Sequence, residues 1–267
     1  MGTVTTMDAP DAGAALRHID APRHSASDWQ AWLQARSLPL LERAAPRGPG
    51  AQRLVVVAPH PDDELLCCAL LMQAHVRRGG SVHVVAVTDG EASHAGAPGW
   101  SPDRLRRVRQ HERMQGLLGL QLPPPQMSFL RLPDGAVAAA EDDLRTALQG
   151  LLRPGDLAVT TWHQDGHPDH ESCGRATRAA ACAVGVQVLQ APVWMWHWAH
   201  PGDPAVPWAQ LRCVPSPPAD LARKRRALQA HASQCEPRGP GLPPVLDDAI
   251  LARAAWPQEF YFVESVP

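Results

Sequence analysis

Residues 53–71 read RLVVVAPHPDDELLCCALL, and the change of character inside this stretch decides the fold. An apolar, β-branched run ends abruptly at His60, Pro61, Asp62, Asp63 and Glu64, and an apolar helical pattern takes over at about Leu65. Three carboxylates and an imidazole therefore sit where a buried strand stops. Like charges packed this closely cost free energy unless a cation or a proton compensates them, and a metal ion is the simplest compensation.

Outward from this stretch the chain alternates. Strands are expected at 53–59, 81–88, 127–131, 156–162 and 187–194, separated by helices at 65–78, 102–118, 141–152 and 171–183. Continuous apolar strands divided by helices imply an α/β fold with a Rossmann-like, mostly parallel sheet covered by helices on both faces. In such sheets ligands bind at the carboxyl ends of the strands, near the point where strand order reverses. The polar clusters obey this rule. They fall at His60 to Glu64 after the first strand, at Asp89, Gly90, Glu91 and His94 after the second, and at Asp134 and Gly135 after the third. His163, Asp165, His167, Asp169 and His170 follow the fourth.

Upstream, residues 1–24 lack periodicity. Ser27 and Asp28 are candidate caps for a helix starting at Trp29, Pro39 should end or kink it, and AAPRGPGAQ (44–52) reads as a linker. The glycines of that linker precede the strand, so they cannot form the dinucleotide-binding turn that follows one. The expected division is an extension with one helix at 1–50 and one domain at 51–267. Beyond residue 195 regularity fades. A helix at 219–232 carries the cationic run Arg223 to Arg226, read as a solvated face, and EFYFVES (259–265) reads as a final strand.

A length of 267 residues with 45% hydrophobic content suits one sizeable core. The formal net charge of −2 offers no basic footprint for nucleic acid and no polybasic membrane patch. No apolar run approaches the roughly 20 residues needed to span a bilayer, and the first residues lack the features of a signal peptide. The six cysteines show no CxxC spacing and read as reduced, buried hydrophobes. The expectation is a cytoplasmic protein without nucleic-acid or membrane partners, its oligomeric state left open.

His60 and Asp63, three apart across a proline-stiffened strand end, can aim at one point while Asp62 projects differently. His167 and His170 share one side of the first turn of the following helix. One histidine and one carboxylate from the first cluster plus one histidine from the second make three protein ligands with an open position, the pattern of a catalytic zinc site. The same donors also accept Fe2+.

VVVAPHPDDE together with the downstream DGHPDH resembles the zinc-dependent de-N-acetylase family called LmbE-like or PIG-L. TDGEAS, the Arg109/Glu112 pair with LG following, LPDG and AHASQ extend the resemblance over residues 53–235. It implies that His60, Asp63 and His170 bind Zn2+, that Asp62 is the general base, and that His167 stabilises the oxyanion with Asp169 orienting an imidazole. It further implies hydrolysis of the N-acetyl group of an N-acetylglucosamine-type sugar or glycoconjugate.

Glu64 and Asp165 read as supports for ligands, with a capping role open for Glu64. Arg109 reads as a substrate-holding residue or as helix-surface charge. His94, with Asp89 and Glu91, shapes the pocket or caps a turn. In WMWHWAH the tryptophans Trp194, Trp196 and Trp198 with His197 form either a sugar-stacking wall or core; Trp196 and His197 are carried forward as substrate-binding candidates. Two rival readings remain: a metal-containing glycan-binding protein without catalysis, and an amidase acting on a non-sugar amide. HERMQ (111–115) and HESCG (170–174) lack the second histidine of HExxH, and Walker A, GxSxG and PCxxC signatures are absent. The facial triad of non-haem iron oxygenases, which His60, Asp62 and His170 also match, usually rides on an all-β scaffold.

Overall fold

The computed structural model describes residues 17–41 and 52–263. Nearly all of the expected linker, residues 1–16 and 42–50 of the N-terminal extension, and positions 264–265 of the expected last strand lie outside those residues. Helix α1 (Ala26–Gln34) begins three residues before the expected Trp29, because Ser25 and Asp28 close a capping box in which each side chain accepts the other's backbone N–H. The chain then runs through β1 (Arg53–Ala58), α2 (Asp63–Leu66), α3 (Ala69–Arg77), β2 (Ser81–Ala86), α4 (Pro102–Gly119) and β3 (Gln126–Phe129). Next come α5 (Glu141–Leu151), β4 (Leu157–Thr161), α6 (Pro168–Val184), β5 (Gln187–Ala191) and α7 (Met195–Trp198). The last elements are β6 (Leu211–Pro215), α8 (Pro218–Leu228), α9 (Ala232–Cys235), α10 (Asp248–Ala254) and β7 (Gln258–Val263).

The seven strands lie in the order β3-β2-β1-β4-β5-β7-β6. The first five run parallel and β7 pairs antiparallel with both β5 and β6, giving the expected mostly parallel α/β sheet. Strand order reverses between β1 and β4, so their carboxyl ends define the crevice. Alternate residues of β1 feed opposite cores: Leu54 and Val56 pack with Leu71, Met72 and Leu228, whereas Val55 and Val57 pack with Leu144, Leu148 and Ala180. An aromatic cluster of Trp29, Trp196, Trp256 and Phe260 joins α1 to α7, and the Trp29 indole N–H donates to the Trp196 carbonyl at 3.0 Å.

Strand β6 carries little sequence signal, being short and ending in Pro215, which only an edge strand tolerates well. Its outer edge is covered locally: Cys213 N–H donates to Pro39 O and Leu41 N–H to Cys213 O. The expected helix 65–78 divides at Cys67 and Cys68. Groups distant in sequence satisfy the backbone there. Lys224 Nζ donates to Leu66 O at 2.7 Å, Tyr261 hydroxyl to Cys67 O at 2.6 Å, and the Glu259 carboxylate accepts the N–H groups of Leu70 and Leu71 at 3.0 and 2.9 Å. Lys224, the chain's one lysine, is thus buried beside Glu259, 2.8 Å away, and departs from the solvated face expected of its cationic run.

Candidate metal centre and active site

Three donor atoms converge at the β1/β4 crevice. His60 Nδ1 lies 3.2 Å from His170 Nε2 and 3.3 Å from Asp63 Oδ2, and the last two are 3.4 Å apart. A tetrahedral ion with bonds of about 2.0–2.1 Å requires donors about 3.3–3.4 Å apart. The triangle fits such an ion.

Hydrogen bonding around the rings leaves the converging nitrogens as lone pairs. His170 Nδ1 donates to Asp165 Oδ2 at 2.8 Å, which places the ring proton there and frees Nε2. His60 Nε2 faces Asp169 Oδ2 at 3.2 Å and Asp134 Oδ1 at 3.3 Å, which frees Nδ1. Two lone pairs and a carboxylate oxygen meeting without a proton between them call for a cation. A second donor group, His60 with His167 and Asp169, is looser, and there His167 Nδ1 already accepts the Asp169 N–H at 3.2 Å.

Asp165, read from sequence as a support, also accepts the backbone N–H groups of Val193, Trp194 and Met195 at 2.9–3.0 Å. It thereby holds His170 and the start of α7 together. Asp165→Asn is expected to weaken Zn2+ binding by about 10–100-fold, because the amide cannot accept from His170 and take the same backbone bonds. Competition against a chromophoric chelator measures the change, and an unaltered affinity would refute this account of the ring's orientation.

Asp62 precedes α2 and is buried at the pocket floor. Burial and the neighbouring Asp63 push its carboxyl above the ordinary range, against the pull of Arg109. Arg109 is itself buried, not helix-surface charge. Its Nη1 donates to Gly90 O at 2.8 Å, and its Nη2 donates to Gln234 Oε1 at 2.6 Å and lies 3.4 Å from Asp62 Oδ2. Gln234 in turn donates to Pro61 O at 2.8 Å, so one α9 side chain holds both Arg109 and the backbone just before Asp62. Gln234 was visible in the sequence only as part of AHASQ.

His167 caps α6, which starts three residues earlier than expected and so carries Asp169 and His170 in its first turn. Because Nδ1 accepts a backbone N–H, the neutral ring bears its proton on Nε2. Burial, with His170 and His60 nearby, lowers its pKa to about 3. Asp169 does not reach the His167 ring with its carboxylate. It accepts the N–H groups of Gly135 and Val137 at 2.8 and 3.1 Å and faces His60.

Of the tryptophans, Trp194 lines the pocket, its ring stacked on His167 at 6.2 Å and 24°. Trp196 lies away from the pocket among Trp29, Trp256 and Phe260, and His197 is buried against Arg253 Nη2 at 2.6 Å. Since α7 is a single helical turn, positions two apart, such as 194 and 196, point to roughly opposite sides. His94 is buried, its Nε2 3.0 Å from Ser233 O, tying the 90–98 loop to α9 and lying outside the pocket lining. Glu64 faces Arg113 at 3.2 Å, and burial pushes its carboxyl up to about 7. The pocket itself encloses about 210 Å³.

Residues 55–181 match the family model PIG-L, described as GlcNAc-PI de-N-acetylase. A 1D-myo-inositol 2-acetamido-2-deoxy-alpha-D-glucopyranoside deacetylase of Rhodococcus jostii is 27% identical over 238 residues, covering 68% of this chain and 82% of the relative. A probable N-acetyl-alpha-D-glucosaminyl L-malate deacetylase of Bacillus anthracis is 26% identical over 219 residues, covering 77% and 91%. A crystallised triple mutant of a deacetylase in the teicoplanin biosynthetic pathway superposes with a TM-score of 0.57 at 19% identity, over 80% of this chain and 98% of that one, which supports the shared fold. Residues 55–181 of the chain thus carry a match to the PIG-L (LmbE-like) family.

Proposed function

We propose that the protein is a zinc-dependent hydrolase that removes the N-acetyl group from an N-acetylglucosamine-type sugar or glycoconjugate. The carrying observation is the triangle of His60, Asp63 and His170 donors at 3.2–3.4 Å, with Asp62 beside it and the protonated nitrogen of His167 unused by the helix cap. A bound Zn2+ would polarise the amide carbonyl and bring the pKa of water toward roughly 7.

Asp62, close to the ligands but not needed as one, takes the proton from the attacking water and passes it to the departing amine nitrogen. Arg109, itself held by Gln234, lies beside the carboxylate for this transfer. His167 Nε2–H donates to the amide oxygen as negative charge gathers there. The water oxygen forms a bond to the acyl carbon, the C–N bond breaks, and acetate leaves with a free amino sugar.

Metal analysis of the purified protein, combined with acetate release from a panel of N-acetylglucosamine conjugates, tests this reading. Stoichiometric zinc and release from at least one conjugate are expected. Metal-loaded protein that releases acetate from none of them would replace the hydrolase with a metal-containing glycan binder or an amidase of other specificity.

A further inference from the structure

The pocket has two chemically different sides, and sheet order separates them. The ends of β2 and β3 lie on one side of the β1/β4 crevice and the end of β5 on the other. Ser93, Asp134 and Gly135 come from the first side and make it polar: the Ser93 hydroxyl donates to Gly90 O and Asp134 accepts the Ala92 N–H, which leaves oxygen lone pairs of the kind that accept from sugar hydroxyls. The second side is apolar. Val193 and Trp194 follow β5, and Leu66, Val245, Leu246 and Ile250 complete the surface.

Charge is equally one-sided. The described residues lining the pocket include the carboxylates of Asp62, Asp63 and Asp134. Their one guanidinium, Arg109, is already bonded to Gly90 and Gln234 and close to Asp62. A divalent ion and Arg109 would just balance the three carboxylates. No surplus positive charge remains to hold a carboxylate or a phosphate on a substrate, and desolvating such a group beside an aliphatic wall is costly.

We propose that the pocket takes an uncharged N-acyl amino sugar bearing an apolar group next to the scissile amide, and that it discriminates against anionic conjugates such as a glucosaminyl malate. This rests on the hydrolase reading above and narrows its substrate class. The apolar group is either an N-acyl chain longer than acetyl or an alkyl or aryl aglycone, since both present the same chemistry to the wall. Each methylene buried there contributes about fourfold in affinity. A short alkyl group should therefore change kcat/KM by about 10–100-fold.

The test uses the zinc-loaded full chain and four compounds: N-acetylglucosamine, its hexyl glycoside, N-hexanoylglucosamine and N-acetylglucosaminyl malate. Amine release is expected at least about 10-fold more efficiently from one of the two alkyl compounds than from N-acetylglucosamine, and least efficiently from the malate conjugate. The better alkyl compound identifies the aglycone or the acyl chain as the group recognised. Within the variant Leu246→Ser the ratio of the preferred alkyl compound to N-acetylglucosamine should shrink to within about threefold, a ratio that misfolded enzyme cannot mimic.

Calorimetry on the same protein should show tighter binding of the alkyl compounds, with a negative heat-capacity change that the malate conjugate lacks. Equal or preferential turnover of the malate conjugate, or no alkyl preference, overturns the proposal while leaving the hydrolase intact. If none of the four releases amine, the hydrolase reading fails for these substrates, and the calorimetric order alone upholds or rejects the apolar recognition.

Discussion

Asparagine in place of Asp62 is expected to leave the bound metal in place and to lower kcat by about 10²–10⁴-fold, the range contributed by a positioned general base. The amide matches the carboxylate in shape, and neither tight bond of Arg109, to Gly90 O at 2.8 Å and to Gln234 at 2.6 Å, depends on position 62. The triangle of His60, Asp63 and His170 does not involve the residue. What is lost is the ability to accept a proton from water and return it to nitrogen. KM should change little, because the group acts on the transition state and not on the bound sugar. Elemental analysis and steady-state kinetics on the same preparation check both halves. A kcat within threefold of the parent would move the base elsewhere, and metal loss would make Asp62 a ligand.

Lys224→Met is expected to destabilise the fold by about 3–5 kcal/mol, the cost of removing one partner of a buried ion pair. For a chain of this size that corresponds to a fall in melting temperature of about 6–20 °C. The thioether fills much of the lysine's volume, so the loss isolates the charge. Glu259 would stay buried with the N–H groups of Leu70 and Leu71 and the Tyr261 hydroxyl at 2.8 Å but without its cation, and Leu66 O would lose its donor. Thermal unfolding followed by circular dichroism measures the effect. A fall of less than 3 °C would show that the backbone donors and Tyr261 suffice to keep the carboxylate.

The sequence exposes those parts of the fold and site whose signal is local. The run from Leu54 to Ala58 is apolar at every position because the strand has a core on each side, and the clusters at His60 and His167 stand out because strands end there. The parallel sheet and its crevice follow. The break at Cys67 and Cys68 left no mark, since its partners Lys224, Glu259 and Tyr261 lie more than 150 residues away. The same holds for Gln234, which reaches Arg109 and Pro61 O from α9, a helix of one turn. Among the tryptophans composition could not choose. Trp194 faces the pocket and Trp196 the core because Asp165 fixes where α7 begins, and that carboxylate belongs to another loop. Pro215 and the shortness of β6 hid an edge strand whose pairing comes from β7.

The placement of Glu259 bears on how the nascent chain matures. The segment carrying His60 to Glu64 leaves the ribosome nearly two hundred residues before Glu259, the acceptor for the Leu70 and Leu71 amides just behind it. Strand β7 must also slot between β5 and β6 before β6 can join the sheet. Vectorial synthesis can thus assemble the early parallel strands, but the Leu70 and Leu71 amides behind the His60 to Glu64 segment meet their acceptor only once β7 has been made.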